Sequence, residues 1–277
     1  MNRKRLDPTS SPWAPFGMQL RRSREAVGLT QLQLAKLISC DASTVSYIEL
    51  AQRPPTAKFA RSADDVLQTG GTLVLMWWQH KHTALKEGFP EFADHEARAT
   101  DIRLFEIGLI PGLLQTPDYA AADLAAPVGR GEITAAQAEE RLAFRLARQQ
   151  ATLHRSSPPL LHVALDESAI RWQIGGRQTL SDQLLHLETL AESTHVIIQV
   201  LPFTMGTLRS FPSAITLLTM PDHSRLAYTE TLDRGFLERD KATVALWGRR
   251  YDRLQVAAPT QAASLDMIRA VRRELAP

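Results

Sequence analysis

The stretch LTQLQLAKLISCDASTVSYIELAQRPP, residues 29–55, constrains the fold more than any other part of this chain. Thr30 stands where a helix N-cap belongs, and Leu34, Leu37 and Ile38 come after it as an apolar stripe. Three residues on, Asp41 is placed to cap a second helix, ASTVSYIEL, whose Val45 and Ile48 point inward at i, i+3 spacing. Pro54 and Pro55 stop it, because proline lacks a backbone donor and restricts the residue before it. A helix precedes the pair, with Phe16, Leu20 and Val27 on one face, Arg21, Arg22 and Arg24 off it, and Gly28 at its end. Another runs from Thr56 through Phe59, Ala63 and Leu67. Helices this short are marginal in isolation, so they must pack together as a small all-α bundle.

Charge separates this bundle from the remainder of the chain. Residues 1–61 hold ten Lys or Arg against four Asp or Glu, while the rest holds 22 against 26. A basic module ahead of a mildly acidic remainder is the distribution expected when one small domain meets a polyanion.

Two short helices joined by a tight turn make a helix-turn-helix, and residues 16–67 resemble the Cro and phage-repressor (XRE-type) family of DNA-binding domains. The resemblance rests on Thr30-Gln31, Leu34-Ala35, Val45, Ile48-Glu49 and the Arg53-Pro54-Pro55 exit. It departs from the family at two places where glycine is usual, Ser39 in the turn and Ala51 after the second helix. A non-glycine residue at positive φ costs on the order of 1 kcal/mol, so the turns are either strained or differently shaped. The resemblance implies that Ala42, Ser43, Ser46 and Tyr47 approach base edges, and that Gln31, Thr44, Arg53 and Lys58 contact phosphates. No Arg, Lys, Asn or Gln lies between residues 37 and 49, so the bidentate base readers are missing. Contacts would instead be short hydroxyl, methyl or water-bridged ones, with specificity supplied partly by DNA shape and dimer spacing. Arg3, Lys4 and Arg5 form a basic arm, either a minor-groove contact or a solubilising tail.

Beyond Gly70-Gly71, TLVLMWWQHKHTAL is too apolar for a free surface helix and reads as a bridge onto a second domain or a dimer element, with Trp77 and Trp78 as core. Thr116-Pro117-Asp118 and the Thr134/Gln137 capping box mark two further helix starts. Four strand-like runs come next: LLHVALDE, HVIIQVLPF, SAITLLTM and RLAYTETL. LSDQLLHLETLAE lies between the first two as a helix, and two more helices close the chain near residues 238–254 and 260–275. The expected fold class is therefore two domains: a lambda repressor-like all-α helix-turn-helix bundle, then an α/β domain with a sheet of about four strands covered by helices. The expected boundaries are a flexible basic arm at 1–14, the helix-turn-helix domain at 15–70, a linker helix at 71–90 and a regulatory or interaction domain at 91–277.

HEARATDIRLFEIGLIPGLLQTPDYA, RLARQ, LDESAIRWQIGG, IIQVLPFTMG and YTET, in that order over about residues 90–272, resemble an uncharacterised domain behind helix-turn-helix modules in actinobacterial regulators of the WhiJ-like kind. That resemblance implies an antitoxin-type or developmental repressor with a small partner protein encoded nearby. It brings no catalytic residues and no ligand.

Other chemistry is thinly represented. Asp166-Glu167 at a strand end and Glu230 near Tyr228 are the acids in suggestive places, but a helix cap or an ion pair to Arg171 explains the first two as well. His80-x-His82 lacks the spacing of a zinc site, and there is no nucleophile elbow, P-loop or dinucleotide-binding glycine pattern. Cys40 reads as a small buried filler. No enzyme, cofactor or metal is expected. The segments LIPGLLQTPDY and LPFTMGTLRSF put apolar residues in irregular chain, which suits a small-molecule ligand cleft, a protein groove or plain loop packing. One cysteine, no apolar leader and no run long enough to span a bilayer give the expectation of a cytoplasmic protein with no membrane anchor. Its expected partners are double-stranded DNA and a second copy of itself, since one helix-turn-helix makes too few contacts for a unique site.

Overall fold

The computed structural model describes residues 11, 13–80, 86, 88–208, 211–231 and 234–275. It divides into two compact units, Met1–Ala84 and Leu85–Pro277.

Among the described residues the first unit is five helices: α1 (Ala14–Ala26), α2 (Gln31–Leu37), α3 (Ala42–Glu49), α4 (Ala57–Leu67) and α5 (Thr72–His80). Phe16, Leu20, Leu34, Val45 and Ile48 form its centre, with 2% or less of each exposed. Two residues expected in that core lie outside it: Val27, at the end of α1, and Leu37, on the last turn of α2, are at least half exposed. Ala35 takes the inward position instead. Gly17 brings α1 close to α3, since a Cβ there would lie 2.6 Å from the Ile48 carbonyl oxygen and 2.8 Å from that of Glu49.

α5, the described part of the helix expected as a bridge or dimer element, packs on the other helices of the first unit. Leu73, Val74 and Trp77 of α5 are buried, and the indole N–H of Trp77 donates to the Pro55 carbonyl at 2.8 Å. Asp64 of α4 fastens the start of α5: its carboxylate accepts the backbone N–H groups of Leu73 (2.9 Å) and Val74 (2.8 Å), and the Thr69 hydroxyl. Burial pushes the Asp64 carboxyl above its ordinary range, against the pull of these donors.

The second unit contains α6 (Phe89–Arg98), β1 (Asp101–Glu106), α7 (Pro117–Gly129), α8 (Ala135–Leu153), β2 (Leu160–Asp166), α9 (Glu167–Arg171), α10 (Gly176–Leu190), β3 (Val196–Leu201), β4 (Ile215–Thr219), β5 (Arg225–Glu230), β6 (Gly235–Glu238), α11 (Lys241–Ala257) and α12 (Gln261–Leu275). The sheet has six strands in the order β3-β2-β1-β4-β5-β6, not about four. β1, β2 and β3 run parallel, and β4, β5 and β6 add antiparallel pairs from the other side of β1. The four expected strands are β2 to β5. The two added are β1, whose apolar residues are interleaved with Asp101, Arg103 and Glu106, and β6, an edge strand of four residues.

One face of the sheet buries Ile102, Leu104, Val163, Ile198 and Leu218 with residues of α10 and α12. The other buries Phe105, Ala164, Leu217 and Ala227 under Val244, Tyr251 and Leu254 of α11. The Tyr251 hydroxyl lies 3.0 Å from the Leu104 carbonyl and 3.1 Å from that of His162, tying α11 to β1 and β2. Glu106 ends β1 close to the Tyr228-Glu230-Lys86 chain, in which Tyr228 donates to Glu230 at 2.9 Å and Lys86 pairs with Glu230 at 2.7 Å. Burial and the neighbouring Glu230 carboxylate raise the Glu106 carboxyl to about 7, while Ile107 N–H, Lys86 and Arg148 pull it down.

The packing around Gly17 and Glu106 can be probed by substitution. Gly17→Ala should lower the stability of the first unit by about 1–3 kcal/mol in urea unfolding through overpacking, whereas Gly248→Ala in α11, with nothing within 4 Å of the added Cβ, should leave the second unit as stable or up to about 1 kcal/mol more so. Because the folded Glu106 carboxyl titrates above its unfolded value, its contribution is complete below about pH 4.5 and is lost as pH rises through about 7. The second unit should therefore melt at a lower temperature at pH 8 than at pH 5.5. Glu106→Gln should flatten that slope, and an unchanged slope would contradict the assignment.

Candidate nucleic-acid interface

The turn and second helix of the first unit are built by a repeated device for stopping helices. At the end of α1, Gly28 takes φ +72°, its N–H reaches the Glu25 carbonyl at 3.1 Å, and Leu29 N–H reaches Arg24 at 3.1 Å. The same pair of bonds closes α2, from Ser39 to Lys36 (3.4 Å) and Cys40 to Ala35 (2.9 Å), and α3, from Ala51 to Ile48 (3.0 Å) and Gln52 to Tyr47 (2.8 Å). These closing bonds need a left-handed residue at the pivot, and Ser39 (φ +56°) and Ala51 (φ +54°) supply it without being glycine. Of the two alternatives open to the sequence, strain is the one realised. Its cause is the Cβ crowding of the left-handed region.

Thr30 caps α2 in a reciprocal box: its hydroxyl accepts Gln33 N–H at 3.2 Å, and the Gln33 side-chain oxygen accepts Thr30 N–H at 2.8 Å. Asp41 occupies the cap position of α3 in extended backbone, but its side chain makes no capping hydrogen bond. Its carboxylate contributes to that helix start through charge and dipole alone.

Beneath the exposed face lies a buried hub. The Glu49 carboxylate, 3% exposed, accepts Arg24 through Nε (2.5 Å) and Nη2 (3.0 Å), and accepts the Gln31 side-chain amide at 2.7 Å. Arg24 also donates through Nη1 to the Leu29 carbonyl at 2.7 Å. The Glu49 hydrogen bonds hold the Arg24 guanidinium above its ordinary value, against the cost of burial. One acid thus joins α1, the start of α2 and the end of α3. Sequence reasoning misses this hub, because it sets Arg24 off the packing face and singles out Glu49 only as part of a motif. The available signal is a basic and an acidic residue in phase with the apolar positions of two neighbouring helices.

The candidate contact residues sort clearly on this frame. On α3, Ser43 and Tyr47 are exposed, and Ala42 and Ser46 are half-buried beside them, away from the inward-facing Val45, Ile48 and Glu49. Thr44 and Arg53 come together, with the guanidinium 3.5 Å from the hydroxyl. Lys58 is exposed on the first turn of α4. Gln31 is placed differently from a freely projecting phosphate ligand, since one amide hydrogen is committed to Glu49. Its backbone N–H, in the first turn of α2, still faces outward from the helix end. Arg3, Lys4 and Arg5 lie outside the described residues. Cys40 is half-exposed, not a buried filler, with its thiol 3.6 Å from the Asp41 carbonyl and pushed up in pKa by partial burial, which works against a nucleophilic role.

In the second unit the suggestive acids serve structure. Asp166 caps α9 through Ser168 N–H at 3.0 Å, and Glu167 pairs with Arg171 at 2.7 Å while accepting Phe203 N–H at 2.8 Å. LIPGLLQTPDY is anchored to its neighbours: Gln149 donates to the Gly112 and Gln115 carbonyls, Gln183 bonds Leu114 and Thr116, and Leu113 and Leu114 are core. Leu201, Pro202, Phe203, Met205 and Gly206 border a shallow cleft with Asp166 at the carboxyl end of β2 and β3. No group of three His, Cys, Asp or Glu among the described residues is arranged to hold a metal ion. No helix among them is long and apolar enough to cross a membrane.

A buried hub that fixes two short helices, joined by a tight turn and presenting an exposed polar face, defines the class: a helix-turn-helix protein carrying a separate α/β unit. Residues 15–76 match the Helix-turn-helix domain model, and residues 89–270 match the Domain of unknown function (DUF5753). The chain belongs to the DUF5753 family and carries an N-terminal helix-turn-helix, a DNA-binding module of transcription regulation. No curated protein and no solved structure matches it.

Strain at the two helix stops gives a direct test. Ser39→Gly and Ala51→Gly should each raise the stability of the first unit by about 1 kcal/mol, because glycine takes the left-handed pivot without the Cβ penalty. Chemical denaturation measures this. Loss of stability in either variant would mean that the pivot is not where the strain resides.

Proposed function

We propose that this protein is a sequence-specific transcription regulator acting in the cytoplasm as a homodimer, and that it represses. Its α3 would enter the major groove with Ala42, Ser43, Ser46 and Tyr47 at base edges, and Thr44, Arg53, Lys58 and the α2 start at phosphates. The observation that carries this reading is the exposed Ser43 and Tyr47 face of α3, backed by the Arg24-Glu49-Gln31 hub and flanked by Arg53 beside Thr44. In this reading the second unit receives the signal, a partner protein or a small ligand, that changes the spacing or affinity of the dimer on DNA. The resemblance to WhiJ-like actinobacterial regulators supports that division of labour. It also raises an antitoxin-like alternative, in which the second unit sequesters a small partner and DNA binding serves autoregulation.

Selection of bound DNA from a random pool by the full-length protein tests the regulator reading. The expected result is an enriched motif of two related half-sites, and the absence of any enriched sequence overturns it. Ser43→Ala and Tyr47→Ala should each relax preference at individual positions by about 1–3 kcal/mol. Arg53→Ala should weaken all sequences alike and reduce the salt slope by about 0.9. If all three behave like Arg53→Ala, α3 does not read bases.

A further inference from the structure

α11 lays Val244, Gly248, Tyr251 and Leu254 against the sheet and turns a different set of residues outward. Leu246, Arg249, Arg250, Arg253 and Val256 are all exposed, Val256 by 87%. Their spacing puts them on one helix face over a length of about 15 Å.

Several other arginines of the second unit have carboxylates at hand, although the exposed Arg225 and Arg273, each standing singly, do not. Arg98 pairs with Asp94 (2.5 Å), Arg171 with Glu167 (2.7 Å), and Arg269 and Arg272 both with Glu188 (3.0 and 2.8 Å). Arg249, Arg250 and Arg253 have no ion-pair partner among the described residues. The nearby acid on the same helix, Asp252, is engaged by Arg103 at 2.7 Å. Arg253 is also three and four residues from its two like-charged neighbours, a spacing that repels and costs an isolated helix a few tenths of a kcal/mol. The face thus concentrates positive charge that the acids among the described residues leave unneutralised.

Two kinds of polyanion suit three arginines, and the apolar residues discriminate between them. A nucleic-acid backbone would occupy the guanidinium groups and leave Leu246 and Val256 in water. An acidic amphipathic helix would pair its carboxylates with the arginines and bury its apolar residues on Leu246 and Val256. Arginine flanked by apolar contacts is the composition typical of protein interfaces.

We propose that the outward face of α11 docks an acidic amphipathic helix of a partner protein. This rests on the reading that the second unit receives a protein signal, and it assigns that signal a surface and a chemistry.

The test uses the full-length protein and three labelled probes in fluorescence anisotropy: a synthetic helical peptide with leucines at i, i+3 and i+7 among glutamates, the same peptide with serines for the leucines, and a duplex carrying no selected motif. The leucine-glutamate peptide should bind the wild type. Arg249→Glu/Arg250→Glu/Arg253→Glu should weaken it about tenfold or more, and so should Leu246→Ser/Val256→Ser, without changing the melting temperature. The serine peptide should bind much more weakly. No peptide binding, equal binding to the arginine variant, or equal binding of the two peptides would overturn the proposal. So would an arginine variant that loses affinity for the duplex and keeps it for the peptide. Selection of DNA from a random pool reports separately on the regulator reading: a protein that binds the peptide and selects no DNA keeps this surface and loses that function.

Discussion

The orientation of α3 depends on a single buried carboxylate. A helix of eight residues has little stability of its own, and Val45 and Ile48 give it an inward side without fixing how far it turns about its axis. Glu49 removes that freedom by accepting two bonds from Arg24 of α1 and one from Gln31 of α2. Such a group is costly to bury alone and acceptable only when its partners are in place. The arrangement is therefore all-or-none: the three helices are either mutually aligned or leave a charge stranded in the core. Gly17 adds the steric half of the constraint by letting α1 approach the carbonyls that end α3.

This rigidity bears on the proposed reading of DNA. Long side chains tolerate error in helix placement because they reach. Serine and alanine do not, so a recognition helix of Ala42, Ser43 and Ser46 needs its backbone held close to the groove at a defined angle. The strained pivots at Ser39 and Ala51 belong to the same picture. The closing bonds around them set the angles at which the chain enters and leaves α3, and the surrounding packing sustains a backbone conformation that the residues themselves disfavour.

Much of this architecture is legible in the sequence because the signals are local. The Thr30 and Thr134 capping boxes, the Thr56 and Thr116 caps, and the apolar runs of β2 to β5 lie within a few residues of what they specify. Other features are specified over distance and leave no local mark. β1 alternates apolar and charged residues, and its charges make sense only once Arg103 meets Asp252 of α11. The anchoring of α5 is equally hidden, because nothing in its own sequence announces that Asp64 will cap it and Pro55 will accept its indole. At the interface, exposed positions on α3 follow from helical phase, whereas the commitment of Gln31 is hidden because its partner lies eighteen residues away. Cys40 shows the limit of residue type as a guide, since a small apolar-leaning side chain beside a tight turn stays half in solvent.

The place of β1 in the sheet has a consequence for how the chain is made. It lies between β2, its parallel neighbour, and β4, its antiparallel one, and β4 begins only at Ile215. The second unit therefore cannot complete its central pairing until most of the polypeptide has been synthesised, and its long loops must close before the pairing rewards them. The first unit draws on neighbours within its own 84 residues and has no such wait. During synthesis a structured N-terminal bundle would precede an unfinished sheet whose open strand edges need protection. Any control exercised by the second unit over the first begins only after that delay.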